Sequence, residues 1–179
     1  MSLNELYTQR PEYRGYTTFT VVRNPWSRLV SCYNKKIRNA NNVAKIAILA
    51  QYEGLHPQMP FADFVAWMCS GEGADEHADL HWISQSYALG GGKRLLDHYL
   101  ELEDLKAQYE TLSGHLGLPD RTLPREAAST DQLYPPLHAD YRSYYASLPA
   151  SLLERIERRY ERDAERFGYP LLRRSLSEE

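Results

Sequence analysis

A run of β-branched and aromatic residues near the start of the chain leads directly into a helix signal, a junction typical of α/β folds. Residues 17–22 read TTFTVV, which has the composition and length of a buried strand. The run stops at Arg23, after which Asn24 is suited to cap a helix and Pro25 to its first turn. The sequence therefore predicts a strand–turn–helix unit whose helix continues to about Ile37.

Helical and extended patterns continue through the rest of the chain. Prolines recur between residues 119 and 149 with few periodic apolar positions, so mainly loop is predicted there. Ser151 and Glu154 have the spacing of a capping box at the start of the last helix, whose periodicity places Arg159 on the solvent face. The other predicted elements are helices over residues 42–52, 60–70 and 103–116 and a strand over residues 95–102.

The alternation of strand and helix signals favours an α/β layered fold with a small parallel sheet and many helices. The 179 residues fit one domain, residues 1–179, because single domains commonly hold about 100–200 residues. Hydrophobic residues make up 42% and charged residues 25%, a balance typical of globular proteins. Two strands make a thin sheet, so we expect further strands either to give weak signals or to lie upstream of this sequence.

Charge, hydropathy and cysteine content exclude several classes of protein. The net charge of −3 gives no indication of a nucleic-acid partner. No apolar run approaches the roughly 18–20 residues of a membrane span, and the N-terminal segment lacks the apolar core of a signal peptide, so a cytoplasmic protein is expected. Cys32 and Cys69 have no CxxC spacing, which favours buried thiols over a disulfide framework or a zinc site.

The junction at Arg23 has the chemistry of a phosphate site. A helix start presents unpaired backbone N–H groups and the positive end of a dipole, and an arginine offers a permanently charged planar fork. The polar face of this helix either binds such an anion or is merely its solvated side. Helical spacing places Trp26, Leu29, Val30, Tyr33 and Ile37 towards the core and Ser27, Arg28, Ser31, Lys35 and Arg38 on the polar face.

The same segment, FTVVRNPWSRLVSCYNKKI, resembles the 3′-phosphate-binding motif of sulfotransferases that use 3′-phosphoadenosine-5′-phosphosulfate (PAPS). In that motif a strand-ending Arg-x-Pro is followed by Arg, Ser and Tyr, which match Arg23, Pro25, Arg28, Ser31 and Tyr33. The resemblance implies that Arg23 and Ser31 bind the 3′-phosphate of PAPS. Arg28 either joins them or braces the loop.

Three later segments resemble the same family, of the carbohydrate sulfotransferase (family 2) type, in matching order and spacing. They are HWISQ at residues 81–85, YLELEDL at 99–105 and YERDAERFGY at 160–169. The resemblance covers most of residues 17–170 and implies a P-loop NTPase-like layered fold. It also implies transfer of a sulfuryl group from PAPS to a hydroxyl acceptor, with carbohydrate as the leading acceptor and with no metal.

A polar loop, LPREAAST at residues 123–130, occupies the place where this family brings a loop over the cofactor. Arg125, Ser129 and Thr130 are therefore candidate cofactor ligands, and an exposed linker is the alternative. A group of tyrosines follows this loop, and packing against the last helix is favoured for them over stacking on a sugar. These tyrosines are Tyr134, Tyr141, Tyr144 and Tyr145.

One part of the family's pattern has no counterpart in the sequence. Members carry, upstream of the first strand described above, a loop with a lysine and Ser/Thr that holds the 5′-phosphosulfate. The run GGGK at residues 90–93 does not replace it, because Tyr87 and Arg94 stand where a Walker-type loop needs Gly and Ser/Thr, so a plain turn is predicted. Little sulfuryl transfer is expected from the chain by itself. The alternatives are a catalytically inactive domain that binds 3′-phosphonucleotides or proteins and, third, an ordinary P-loop kinase.

Acidic residues and histidines cluster at residues 75–81. A helix would align His77 and His81 as metal ligands, but flanking glycines weaken that helix, so a polar surface loop without metal is predicted. Glu53 and His56 join the two histidines as candidates for a general base. No motif distinguishes among them, and no catalytic residue is assigned.

Overall fold

The computed structural model describes residues 3–41, 43–90, 96–118 and 141–177. Two strands and a series of helices make up these ranges. The strands are β1 (Phe19–Val22) and β2 (His98–Glu101). The α-helices are α1 (Leu3–Gln9), α2 (Pro25–Cys32), α3 (Val43–Leu49), α4 (Phe61–Met68), α5 (Gln85–Ala88), α6 (Leu105–His115), α7 (Arg142–Ala146), α8 (Ala150–Phe167) and α9 (Leu172–Ser177). Shorter 3₁₀ segments cover Pro11–Gly15 and Leu102–Asp104, and a π-helix covers Tyr33–Arg38.

Strands β1 and β2 are parallel neighbours, paired in register from Phe19 opposite His98 to Val22 opposite Glu101. Parallel strands need a long crossover between them, which here contains α2 to α5. The predicted small parallel sheet and many helices are thus confirmed for the described residues. The P-loop-like arrangement implied by the resemblance stays a prediction.

The predicted junction between β1 and α2 is confirmed. The Asn24 Oδ1 atom accepts hydrogen bonds from the backbone N–H groups of Trp26 and Ser27, at 3.0 and 3.2 Å, and Pro25 occupies the first helical position. The helical path then widens into the π-helix, which the sequence pattern did not predict. All five predicted core positions, Trp26, Leu29, Val30, Tyr33 and Ile37, are buried.

The core lies where α2, α4 and α8 meet. The rings of Trp26 and Tyr160 contact edge to face, with their centroids 6.3 Å apart. The predicted buried stripe of α8 is confirmed at Ile156, Tyr160, Ala164 and Phe167, whereas Leu153 is only partly buried. Both cysteines are free thiols: Cys32 is buried, which raises its pKa to about 12, and Cys69 is partly buried.

Two expectations from the sequence were wrong, and a third was incomplete. Residues 119–149 were predicted as mainly loop; their described part, 141–149, contains the five-residue helix α7, whose aromatic side chains pack into the core. Helix α8 begins at Ala150 after Pro149, so Ser151 lies inside its first turn and makes no cap. Arg159 is not on a solvent face, since its guanidinium forms an ion pair with Asp75 at 2.8 Å and its side chain is only 12% exposed.

Among the residues that the structure describes, no helix combines the length and the apolar character needed to cross a bilayer.

Candidate functional site

Arg23 lies at the carboxyl end of β1, and its guanidinium has no carboxylate partner among the described residues. Its Nε donates a hydrogen bond to the Ser27 Oγ atom at 3.1 Å. Burial lowers the pKa of the Arg23 guanidinium, and the Glu103 carboxylate opposes this shift. A partly buried cation that forms no ion pair is costly, so this position is suited to an anionic ligand.

The backbone at Arg23 and Asn24 is held from both sides. Successive residues of a strand direct their N–H and C=O groups to opposite edges. On the edge away from β2, the Arg23 N–H donates to Gln85 Oε1 at 2.9 Å, and Gln85 Nε2 donates to the Arg23 carbonyl at 2.8 Å. On the side of β2, the Asn24 N–H donates to Glu103 Oε1 at 2.9 Å. The turn between β1 and α2 is therefore fixed by two side chains distant in sequence.

The closing part of the chain supports both of these side chains. The carboxylate of Asp163, fully buried on α8, accepts hydrogen bonds from the backbone N–H groups of Gln85 and Ser86, each at 2.7 Å. The Tyr169 hydroxyl donates to Glu103 Oε2 at 2.9 Å. The segments 81–85, 99–105 and 160–169 thus meet around Arg23, which gives their shared resemblance a structural reason.

The start of α2 differs from the expectation that it would offer unpaired backbone N–H groups. The N–H groups of Trp26 and Ser27 are already taken by the Asn24 side chain, and that of Arg28 bonds to the Asn24 carbonyl at 2.9 Å. Asn24 is a strong N-cap, and a good cap occupies the donors that an anion would otherwise use. What remains for an anion is the helix dipole and the side chains around it.

Ser27 is a member of this site that the resemblance did not single out. Its hydroxyl receives the Arg23 Nε–H and donates to the Asn24 carbonyl at 3.2 Å, and the residue is buried. The available signal was spacing, since Ser27 is four residues after Arg23 and four before Ser31. Ser31 lies one turn further along the same face of α2 and is half-buried. Its role as a phosphate ligand stays a prediction.

The polar face of α2 is not simply solvated. Ser27 is buried near its start, whereas Lys35 and Arg38 are exposed in the π-helix that continues it. Arg28 uses both terminal nitrogens to bind a neighbouring loop, donating to the Ile83 carbonyl at 2.6 Å and to the Leu80 carbonyl at 2.9 Å. This geometry favours the bracing alternative for Arg28, because its fork is already occupied.

The loop braced by Arg28 carries His81. Its Nδ1 and its backbone N–H both contact Asp79 Oδ1, the latter at 2.9 Å. Partial burial raises the pKa of Asp79, but the hydrogen bonds and charge of His81 outweigh it and lower this pKa overall. Among the four candidate bases, all within the described ranges, His81 is the one whose ring is oriented by a carboxylate, an arrangement used in general base catalysis.

The acidic residues and histidines of residues 75–81 make separate structural contacts. Asp75 accepts from the Ser84 N–H at 2.9 Å and pairs with Arg159, while Asp79 pairs with His81. Within the described part of the chain, no three His, Cys, Asp or Glu side chains are grouped as a metal ion would require.

The remaining candidates divide into those that can be located and those that cannot. Arg125, Ser129, Thr130 and Tyr134, and most of the GGGK run, lie outside the described residues. Tyr145 is buried and its hydroxyl donates to the Trp26 carbonyl at 3.1 Å. Tyr144 packs on Phe61 and on Tyr33. Tyr144 and Tyr145 therefore serve packing, as predicted, but their described ring contacts are with α4 and the π-helix and not with the last helix, as had been expected.

Comparison with known proteins covers the three segments that meet around Arg23. A family model described as the sulfotransferase family matches residues 2–170, which include β1, β2 and the whole of α8. No curated protein and no solved structure gives a significant match. A match of this extent supports sulfuryl transfer as the general activity and implies a sulfuryl donor. The chain belongs to the sulfotransferase family.

Proposed function

We propose that the chain binds PAPS through its 3′-phosphate at Arg23 and takes part in sulfuryl transfer from PAPS to a hydroxyl acceptor. One observation carries this proposal: the Arg23 guanidinium is partly desolvated at the end of β1 and has no carboxylate partner within the described residues. A phosphate dianion would supply the missing charge.

The chemical groups around Arg23 are of the kinds that bind phosphate. Guanidinium groups bind phosphate oxygens through charge-assisted and often bidentate hydrogen bonds. Ser31 adds a hydroxyl donor on the same face of α2, and the helix dipole adds a favourable field at its N-terminus. Ser27 holds the Arg23 Nε, and no hydrogen bond from the described residues occupies the two terminal nitrogens, so these can meet the ligand.

The chain's own contribution to transfer would be binding, orientation and proton transfer. PAPS supplies the activated sulfuryl group, and alignment with the acceptor hydroxyl supplies much of the rate enhancement in such reactions. A general base accepts the proton of the acceptor hydroxyl. His81, which Asp79 orients, is the candidate for that role. Carbohydrate is proposed as the acceptor on the resemblance of four segments to carbohydrate sulfotransferases.

A second candidate function is nucleotide binding without turnover, the alternative that the sequence left open. A domain with the Arg23 site alone would bind 3′-phosphonucleotides and transfer nothing.

Binding is tested by comparing 3′-phosphoadenosine-5′-phosphate (PAP) with AMP in thermal unfolding at matched concentrations. PAP should stabilise the fold by about 2.7 kcal/mol at about 100 times its dissociation constant, and AMP by less, because only PAP carries a 3′-phosphate. Equal shifts, or no shift with either nucleotide, would contradict the assignment of Arg23 as a phosphate ligand.

Turnover is tested separately, with PAPS and a panel of glycans. We expect little transfer, because no described residue matches the family's 5′-phosphosulfate loop. PAP binding without transfer supports the second candidate function. Robust transfer to a glycan supports the first and shows that another segment holds the 5′-phosphosulfate.

A further inference from the structure

We infer that Gln85 is a positioning residue for the phosphate site and acts on the ligand through Arg23; this inference rests on the proposed function. Gln85 binds both backbone groups of one residue, with its Oε1 2.9 Å from the Arg23 nitrogen and its Nε2 2.8 Å from the Arg23 oxygen. On this side of β1 the carboxamide takes the place that the peptide group of a neighbouring strand would have. It therefore sets the orientation of the backbone from which the Arg23 side chain extends.

The contact requires an amide at the end of a side chain of this length. An ionised Glu at position 85 would keep the acceptor for the Arg23 N–H but would place a second acceptor against the Arg23 carbonyl. Asn is one methylene shorter, and Leu has a similar size but no polar atom. Loss of the carboxamide leaves a partly buried N–H and C=O without their partner, which is costly for backbone groups.

The backbone of Gln85 is itself held in place, so its side chain contacts Arg23 from a fixed position. Its backbone N–H is bound by Asp163, which is fully buried on α8. Ser84 caps the same short helix, with its Oγ accepting from the Tyr87 N–H at 3.3 Å. Two successive contacts, from Asp163 to the Gln85 backbone and from the Gln85 side chain to the Arg23 backbone, therefore fix Arg23 relative to α8.

The expected consequence is a loss of phosphate affinity without any change in charge. Glu103 holds the next residue, Asn24, from the opposite side, and Ser27 holds the Arg23 Nε. With Gln85 removed, one of these three restraints is lost and the guanidinium samples more orientations. We expect PAP to bind about tenfold more weakly, the order of effect that hydrogen-bonded supports of ligand-holding residues have at metal sites.

A double-mutant cycle tests this inference, with PAP affinity measured by calorimetry for the parent chain, Gln85→Leu, Arg23→Ala and the double variant. If Gln85 acts through Arg23, its substitution weakens binding about tenfold in the parent and has little effect once Arg23 is Ala. A residue that merely supports the fold would weaken binding equally in both backgrounds. Gln108→Leu is the matched control, because it removes a similar bond, from the Glu101 N–H of β2 to Gln108 Oε1 at 2.7 Å, and leaves both hydrogen bonds to the Arg23 backbone in place.

A conservative variant keeps the test decisive should Gln85→Leu fail to fold. Gln85→Asn keeps an uncharged carboxamide but is one methylene shorter, so its loss of affinity should be no larger than that of Gln85→Leu and should also vanish with Arg23→Ala. Equal effects in the two backgrounds, with either variant, overturn the inference while leaving the proposed function intact. A parent chain that does not bind PAP overturns the proposed function, and the inference with it.

Discussion

At the scale of single residues, two arginines show what helical and strand periodicity can predict. Arg23 was placed at a strand end by local signals, and it lies there. Arg159 was assigned to a solvent face, yet it pairs with Asp75 from a loop far away in the chain. Periodicity identifies the side of a helix that faces its own core, but not which loop packs along its flank. The surroundings of Arg23 were equally invisible, since Gln85, which binds its backbone, and Glu103, whose charge acts on its guanidinium, come from distant segments.

Arg23→Ala should weaken PAP binding far more than Arg158→Ala, although each removes one positive charge. A charge-assisted contact at a partly desolvated site is worth about 1.5–3 kcal/mol, or roughly tenfold to more than a hundredfold in affinity. Arg158 is suited as the control, because its side chain is 71% exposed and its ion pair, among the described residues, is with Glu154 on the same helix. Exposed pairs of this kind contribute about 0–1 kcal/mol.

Calorimetry on both arginine variants decides the matter once circular dichroism shows that each is folded. Arg158→Ala should bind PAP within a few-fold of the parent. If the two variants lose affinity equally, the phosphate is held by the overall electrostatic potential of the protein and not by a direct contact with Arg23.

At the scale of elements, those with strong local sequence signals were predicted, and those that depend on tertiary packing were not. The β1–α2 junction has an N-cap, a proline and an apolar stripe within a few residues, so its prediction was confirmed. The start of α8 has a capping-box pattern, but Pro149 is the N-cap, two residues before Ser151, and the pattern is not used. Helix α7 has only five residues, and the burial of Tyr145 among core side chains stabilises it.

Asp163→Ala should destabilise the fold by about 2–4 kcal/mol, because it leaves two backbone N–H groups of α5 without their charged acceptor. Asp163 is fully buried and both of these bonds are 2.7 Å long. Glu161→Ala, on the exposed face of the same helix, should change the stability by no more than about 0.5 kcal/mol. Equilibrium unfolding in urea measures both. A similar small effect for the two variants would show that Asp163 is not the anchor of α5.

At the scale of the whole molecule, the sequence predicted the class of fold and the family but not the assembly of the site. The three segments that surround Arg23 were found only through their resemblance to a family, since composition does not show which segments meet. The contacts now show that Gln85 lies 62 residues from Arg23, and Glu103 lies 79 residues from Asn24. Periodic sequence patterns extend over about the length of one helix. They could not predict which residues meet when the partners are this far apart in the chain.

Acid should destabilise the whole fold through two aspartates. Hydrogen bonds from the Thr18 N–H and hydroxyl lower the pKa of Asp97 at the start of the sheet, and hydrogen bonds from His81 lower that of Asp79 despite its partial burial. A carboxyl group whose folded pKa is lowered stabilises the fold above its unfolded pKa of about 3.9. That contribution is lost as the pH falls from about 4 through the lower folded values.

Urea unfolding midpoints across this range measure the effect. Asp97→Asn, which cannot ionise, should show a shallower decline of stability with falling pH than the parent, since one proton-linked group is gone. An unchanged slope in that variant would mean that the Thr18 contacts do not favour ionised Asp97.

The support of Arg23 by α5 and α8 also has a consequence for the order of events during synthesis. Asp163 follows Gln85 by 78 residues, and Gln85 itself follows Arg23 by 62. At about 5–20 residues per second, a growing chain carries β1 for on the order of ten seconds before the helix that anchors this network is made. We therefore expect nucleotide to act on the completed chain, where it stabilises the finished site, and to give no help to a nascent chain that stops short of α8.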